Sequence, residues 1–143
     1  MCWEWTEIMT HDEALDFIRR NTKAVLATIK RDGRPQLSHV SYTLDDDGVI
    51  KISVTGDRAK TRNLKRDPRA TLSIVADDWH QYLVVEGTCS VIEDDPLPLL
   101  RHVYARIRGA PHPNWAEFDE AMTGDGRVVL AITVDRIYPL DRG

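Results

Sequence analysis

The sequence predicts a mainly β fold: an antiparallel sheet of about six strands, closed or nearly closed into a barrel, with helices outside it or over one end. Three observations lead there. Short apolar segments recur with Asp and Gly turn signals between them. Apolar residues occupy both parities of these segments, and the strands do not alternate regularly with crossover helices, which argues against a doubly wound parallel sheet.

The elements follow in order. Thr10 with Glu13 three residues on has the form of a capping box, and Ala14, Leu15 and Ile18 continue at helical spacing, so a helix is expected over 11–20. Ala24–Ile29 reads as a buried strand, and Arg31-Asp-Gly-Arg34 as the tight turn into a partner strand, Gln36–Leu44. After the turn Asp45–Gly48, residues 49–55 place Ile50, Ile52 and Val54 on one face, completing a three-stranded meander. The stretch 57–67 is helix-compatible and is limited by Pro68. Residues 70–76 and 81–92 form two more strands, the second with Gly87 as a bulge. Pro96 starts a helix that runs up to Gly109, and Trp115, Phe118 and Met122 mark another. The last strand covers Arg127–Val134 and continues to Tyr138.

The 143 residues are 42% hydrophobic and 29% charged, with a formal charge of −4. That is the balance of one ordinary domain spanning 1–143, too small for two independent cores, so a site is expected to be shallow or shared between subunits. The charge argues against a general binder of nucleic acid or anionic membrane. No apolar run approaches the ~20 residues of a membrane span, and the N-terminus lacks a secretory pattern. Cys2 and Cys89 are far apart and outside any ligand spacing. Neither a disulfide framework nor a zinc site is indicated, and a cytoplasmic location is expected. Fourteen arginines against five lysines fit either a GC-rich genome or a need for planar anion-binding forks.

The glycine-rich dinucleotide and phosphate loops, the nucleophile elbow and the zincin helix motif are all missing. The five histidines are scattered, and the acidic clusters at Asp45–Asp47, Asp77-Asp78 and Glu93–Asp95 fall at turns, so no metal is expected. What stands out is a basic segment: Arg58, Lys60, Arg62, Lys65, Arg66 and Arg69 against the single acid Asp67. It reads either as a solvated helix face or as an anion site, in which Lys60, Thr61 and Asn63 sit near a helix start whose backbone donors favour negative charge. It follows a strand offering Ser53 and Thr55, so polar groups and cations converge on a strand-to-helix junction.

Three blocks, Ala27–Ser38, Arg58–Arg69 and Val84–Gly87, stand in an order and spacing that resembles the split-barrel flavin and deazaflavin oxidoreductases, the pyridoxamine 5′-phosphate oxidase-like superfamily. The form Arg-Ala-Lys-Thr-Arg-Asn-Leu most resembles its small coenzyme F420-dependent branch. The resemblance implies a six-stranded split β-barrel of the FMN-binding type that dimerises, with two cofactor sites at the interface. It implies that Arg58, Ala59, Lys60, Thr61 and Asn63 hold the phosphate and acidic tail, with Ser38, His39 and Ser53 along the ring system. Trp79, His80 and Tyr82 match the region contributed by the opposite subunit, either covering one face of the deazaflavin or anchoring the dimer. Authentic pyridoxamine 5′-phosphate oxidases carry a C-terminal arginine-histidine motif where this chain has Arg136–Gly143, so vitamin B6 oxidation is not expected.

The expected function is therefore an F420H2-dependent reductase, passing hydride to a conjugated or electron-poor small molecule, with no residue yet assigned as catalytic. Two alternatives remain open: an FMN-dependent oxidoreductase of the same fold, and a non-enzymatic carrier of F420 or haem.

Overall fold

The computed structural model describes residues 8–140; Cys2 lies outside them. The chain opens on α1 (His11–Arg20), whose N-terminus is closed by the capping box. The Glu13 N–H donates to Thr10 Oγ1 at 3.3 Å, and the Thr10 N–H donates to the Glu13 carboxylate at 3.1 Å. Asp12 and Glu13 in the first turn and Arg19 and Arg20 in the last complement the helix dipole. Its inner face buries Ala14, Phe17 and Ile18.

Next come β1 (Lys23–Ile29) and β2 (Pro35–Ser41), joined by the Asp-Gly turn with Gly33 at φ 87°. They are followed by β3 (Thr43–Leu44), β4 (Val49–Thr55), α2 (Ala59–Arg66), β5 (Arg69–Val75) and β6 (Tyr82–Ile92). The chain continues through α3 (Leu97–Arg108), α4 (Trp115–Gly124) and β7 (Arg127–Tyr138). Among the described residues all seven strands belong to one antiparallel sheet in the order β2-β1-β5-β6-β7-β4-β3.

The two ends of that order, β2 and β3, are separated in the chain by Tyr42 alone. The sheet must therefore curl until its edges meet, and the result is a split barrel. Here the structure corrects the sequence reading: Gln36–Leu44 is not one strand of a continuous meander, and the sheet counts seven strands rather than six. The reason is Tyr42. Its side chain is wholly buried, its hydroxyl donates to the Ile18 carbonyl at 2.8 Å, and its backbone N–H donates to Thr22 O at 2.8 Å. The chain thus leaves the β1 ladder there and crosses to pair with β4. Burial also pushes the Tyr42 phenol well above its usual pKa. Tyr42→Phe should leave the fold intact but cost about 1–2 kcal/mol, read as a lower midpoint in urea unfolding.

Inside the barrel, alternate residues of each strand meet: Leu26, Ile50, Ile52, Leu72, Ile74, Leu83, Val85, Leu130 and Ile132 are buried together. A second, smaller cluster lies outside the wall, where Leu100 of α3 and Phe118 of α4 cover Val129. Because β7 is covered on both faces, Val128, Val129 and Leu130 are buried consecutively. The bulge expected at Gly87 is present. Glu86 faces Arg136 while Gly87 faces Val134, so Asp135 is the extra residue.

Candidate functional site

The helix that follows β4 is held by polar bonds as well as by Leu64 in the core. Thr61 Oγ1 donates to the Thr55 carbonyl at 3.0 Å. Asn63 Nδ2 donates to Thr28 Oγ1 at 3.1 Å, and that hydroxyl donates to Gln36 Oε1 at 3.0 Å. Arg66 Nη2 closes the chain, donating to Asn63 Oδ1 at 3.1 Å and to the Ile29 carbonyl at 2.7 Å. Thr61 and Asn63 are both buried. Their side chains dock α2 against β1, β2 and β4, and so set where its first turn points.

That first turn closes one end of a cleft of about 490 Å³ lying in the seam where β2 and β4 approach without pairing. His39–Ser41 form one wall and Ser53–Thr55 the other, with Arg58 and Lys60 at the α2 end and Ile107 and Arg127 completing the lining. Lys60 is held below the ordinary lysine pKa, first by partial burial, then by Arg58 and Arg127. Cations repelling one another around a cavity leave a place of positive potential. Among the described residues neither Arg58 nor Lys60 forms an ion pair.

The other cations of the segment are disposed differently. Lys65 pairs with Glu93, and Arg69 pairs with Asp67 at 2.8 Å, where the Arg69 guanidinium pulls the Asp67 carboxyl down to about 2. Arg62, Lys65 and Arg66 also line a separate basic cleft of about 540 Å³ on the other flank of α2, together with Lys30, Arg31 and Ala59. Beside the seam, β1, β2 and β5 form an apolar shelf of about 360 Å³ that includes Val25, Val75 and the same His39–Ser41 stretch. A cationic end thus lies beside a mostly apolar surface, whose lining also includes Lys23, His39, Ser41 and Ser73.

Of the residues singled out in the sequence, the structure brings His39, Ser53, Arg58 and Lys60 to one cleft. Ser38 is not among the lining residues. Adjacent strand positions face opposite ways, and its hydroxyl is inaccessible with no partner among the described residues. Trp79, His80 and Tyr82 sit at the connection into β6 and line neither the seam nor the shelf. Trp79 is 76% exposed. Ile107 and Arg127 are lining residues that the sequence reading missed. No local motif marks them, because they arrive only through the packing of α3 and the pairing of Thr55 with Arg127 across β4 and β7.

The acidic turn has its own internal partners. Asp45 and Asp47 accept from Lys51 Nζ at 2.7 and 2.8 Å, and His102 Nε2 lies 2.9 Å from Asp45. This cluster ties α3 to the β3–β4 turn. The bond from Lys51 keeps the Asp47 carboxyl below its usual range.

Residues 10–141 match the pyridoxamine 5′-phosphate oxidase family. The chain belongs to that family. This oxidase-family chain is 29% identical over 128 residues to the F420H(2)-dependent biliverdin reductase of Mycobacterium tuberculosis, spanning 88% of this chain and 85% of that protein. Among solved structures, a conserved hypothetical protein from Mycobacterium tuberculosis superposes with a TM-score of 0.74 at 25% identity, covering 96% of this chain and 88% of its own. An F420 reductase superposes with a TM-score of 0.66 at 24% identity, covering 86% and 94% respectively. The family fold thus agrees with the barrel described above.

Proposed function

We propose that this oxidase-family chain is an F420H2-dependent reductase acting on a conjugated or electron-poor small molecule, with its site completed by a second copy of the chain. The observation that carries the reading is the continuity of the seam: cationic at Arg58 and Lys60, apolar where it meets the shelf, with His39–Ser41 common to both. A ligand with an anionic tether and a planar ring matches that sequence of environments. When bound, the deazaflavin supplies the hydride; the protein supplies binding, orientation and exclusion of water.

In this reading Arg58 and Lys60 hold the phosphate, aided by the N–H groups opening α2. The seam between His39 and Ser53, with the shelf beside it, would take the ring. The basic cleft of Arg62, Lys65, Arg66, Lys30 and Arg31 takes the acidic tail, whose several charges suit several solvated cations. Leu37, Tyr82 and Tyr138 expose large apolar surface on the sheet, which supports burial against a partner copy. The exposed Trp79 would be covered in the same contact, either over the ring or as an anchor of the dimer.

The FMN reading shares the phosphate cations but leaves the second basic cleft without a role. Titrating apoprotein with each cofactor separates them. F420 should bind at least as tightly as FMN, with a strong salt dependence. Micromolar FMN binding with none for F420 rejects the proposal, and lone monomers at all concentrations in sedimentation reject the shared site.

A further inference from the structure

Arg127 opens β7 opposite Thr55 of β4, so the two side chains share a face of the barrel wall beside the first turn of α2. It lines the seam with Arg58 and Lys60, and also a smaller adjoining cleft of about 440 Å³ with Asp57 and Asp125. A guanidinium carries five N–H donors. Here Nη1 reaches the Ser53 carbonyl at a long 3.4 Å, while Nε is inaccessible to solvent and has no hydrogen-bond partner among the described residues. The nearest carboxylate, Asp125, stands 3.9 Å from Nε, beyond hydrogen-bond reach. With only one long bond among the described residues, the guanidinium keeps its Nη donors for an oxyanion in the space between the three cations, and a turn of the side chain toward that anion would release Nε from its unpaired, costly position.

We propose that Arg127 is a binding residue for the anionic group of the ligand, acting with Arg58 and Lys60 as its third cation, and that Asp125 is the counter-ion it exchanges for that group. The inference rests on the cofactor reading above only for the identity of the ligand; the three-cation site holds for any phosphate or carboxylate of similar size. Two consequences follow from the geometry. The guanidinium supplies a planar fork that lysine does not, so a lysine here retains charge but loses bidentate contact. Asp125 competes with the ligand, so neutralising it strengthens binding.

The test is a double-mutant cycle read by F420 binding and, independently of any cofactor, by the rise in Tm that inorganic pyrophosphate produces. Arg127→Ala should raise the F420 Kd roughly 10- to 100-fold and abolish the pyrophosphate response, while Arg127→Lys recovers part of both. Asp125→Asn should tighten binding about two- to fivefold, and this gain should vanish in the Arg127→Ala background. A merely structural role for Arg127 would not produce a gain of opposite sign at Asp125. Arg19→Ala, which removes the same charge on α1, serves as the control and should change neither readout. If Arg127→Ala binds F420 like the wild type while Lys60→Ala does not, the inference falls and the cofactor reading stands. If the wild type ignores F420 but its pyrophosphate response still depends on Arg127, the cofactor reading falls and the inference stands. A wild type indifferent to both overturns both.

Discussion

Lys60→Ala is expected to raise the Kd for F420 by roughly 10- to 100-fold, the worth of one charge-assisted hydrogen bond in a partly enclosed site. Stability of the apoprotein should not fall with it. Lys60 sits among Arg58 and Arg127, and its pKa is depressed by partial burial and then by these two cations. A lysine whose folded-state pKa lies below its unfolded value binds its proton less firmly in the folded chain, so the ammonium opposes folding at every pH below the folded pKa. That opposition is relieved as the pH rises through the depressed pKa toward the ordinary lysine value. The apoprotein should therefore gain stability across this alkaline window, and Lys60→Ala should flatten the gain. A bound anion reverses the depression, so F420 binding should take up protons over the same range. Fluorescence titration for Kd, with thermal unfolding at several alkaline pH values, checks both parts. An unchanged Kd sinks the phosphate assignment even if the stability profile behaves as described.

Gly87→Ala is expected to be the most damaging single methyl group in the barrel. A Cβ built there would lie 2.1 Å from the Thr133 carbonyl oxygen and 2.6 Å from Ile132 Cγ2. The methyl of Ile132 could turn aside; the Thr133 carbonyl belongs to β7 and is fixed by the ladder to β6. The strands would have to separate at the bulge, where Asp135 is already the extra residue, and overpacking of this kind costs about 1–3 kcal/mol or more. A shift of the urea midpoint measures it. Gly124, in the last turn of α4, has open space where its Cβ would stand. Gly124→Ala should therefore be neutral or stabilising by about 0.5–1 kcal/mol. Equal effects at the two glycines would mean that close strand approach is not what position 87 requires.

The capping box at Thr10 and Glu13, the Asp-Gly turn before β2, the period of Ile50, Ile52 and Val54, and the bulge at Gly87 were all legible in the sequence, and each is present. Each depends on neighbours within a few positions or on one strand's own alternation. The break at Tyr42 was not legible, because alternation reads straight through it. What stops β2 is the Ile18 carbonyl on α1, 24 positions away.

The same division runs through the site. The basic segment and its place after a strand were plain in the sequence, and so was the family they resemble. Which of its side chains face the seam was not. Thr61 and Asn63 turn inward to Thr55 and Thr28, Arg66 stays exposed on the other flank with a bond to the Ile29 carbonyl, and Arg58 and Lys60 remain toward the cavity. The sequence alone determined the strands, the turns, the helix start and the concentration of positive charge, all of which follow from local backbone preference and composition. Only the tertiary structure decided that the two sheet edges meet at Tyr42 and that β7 lies against β4. Those pairings join residues far apart in the chain, and they bring Arg127 beside Arg58 and Lys60.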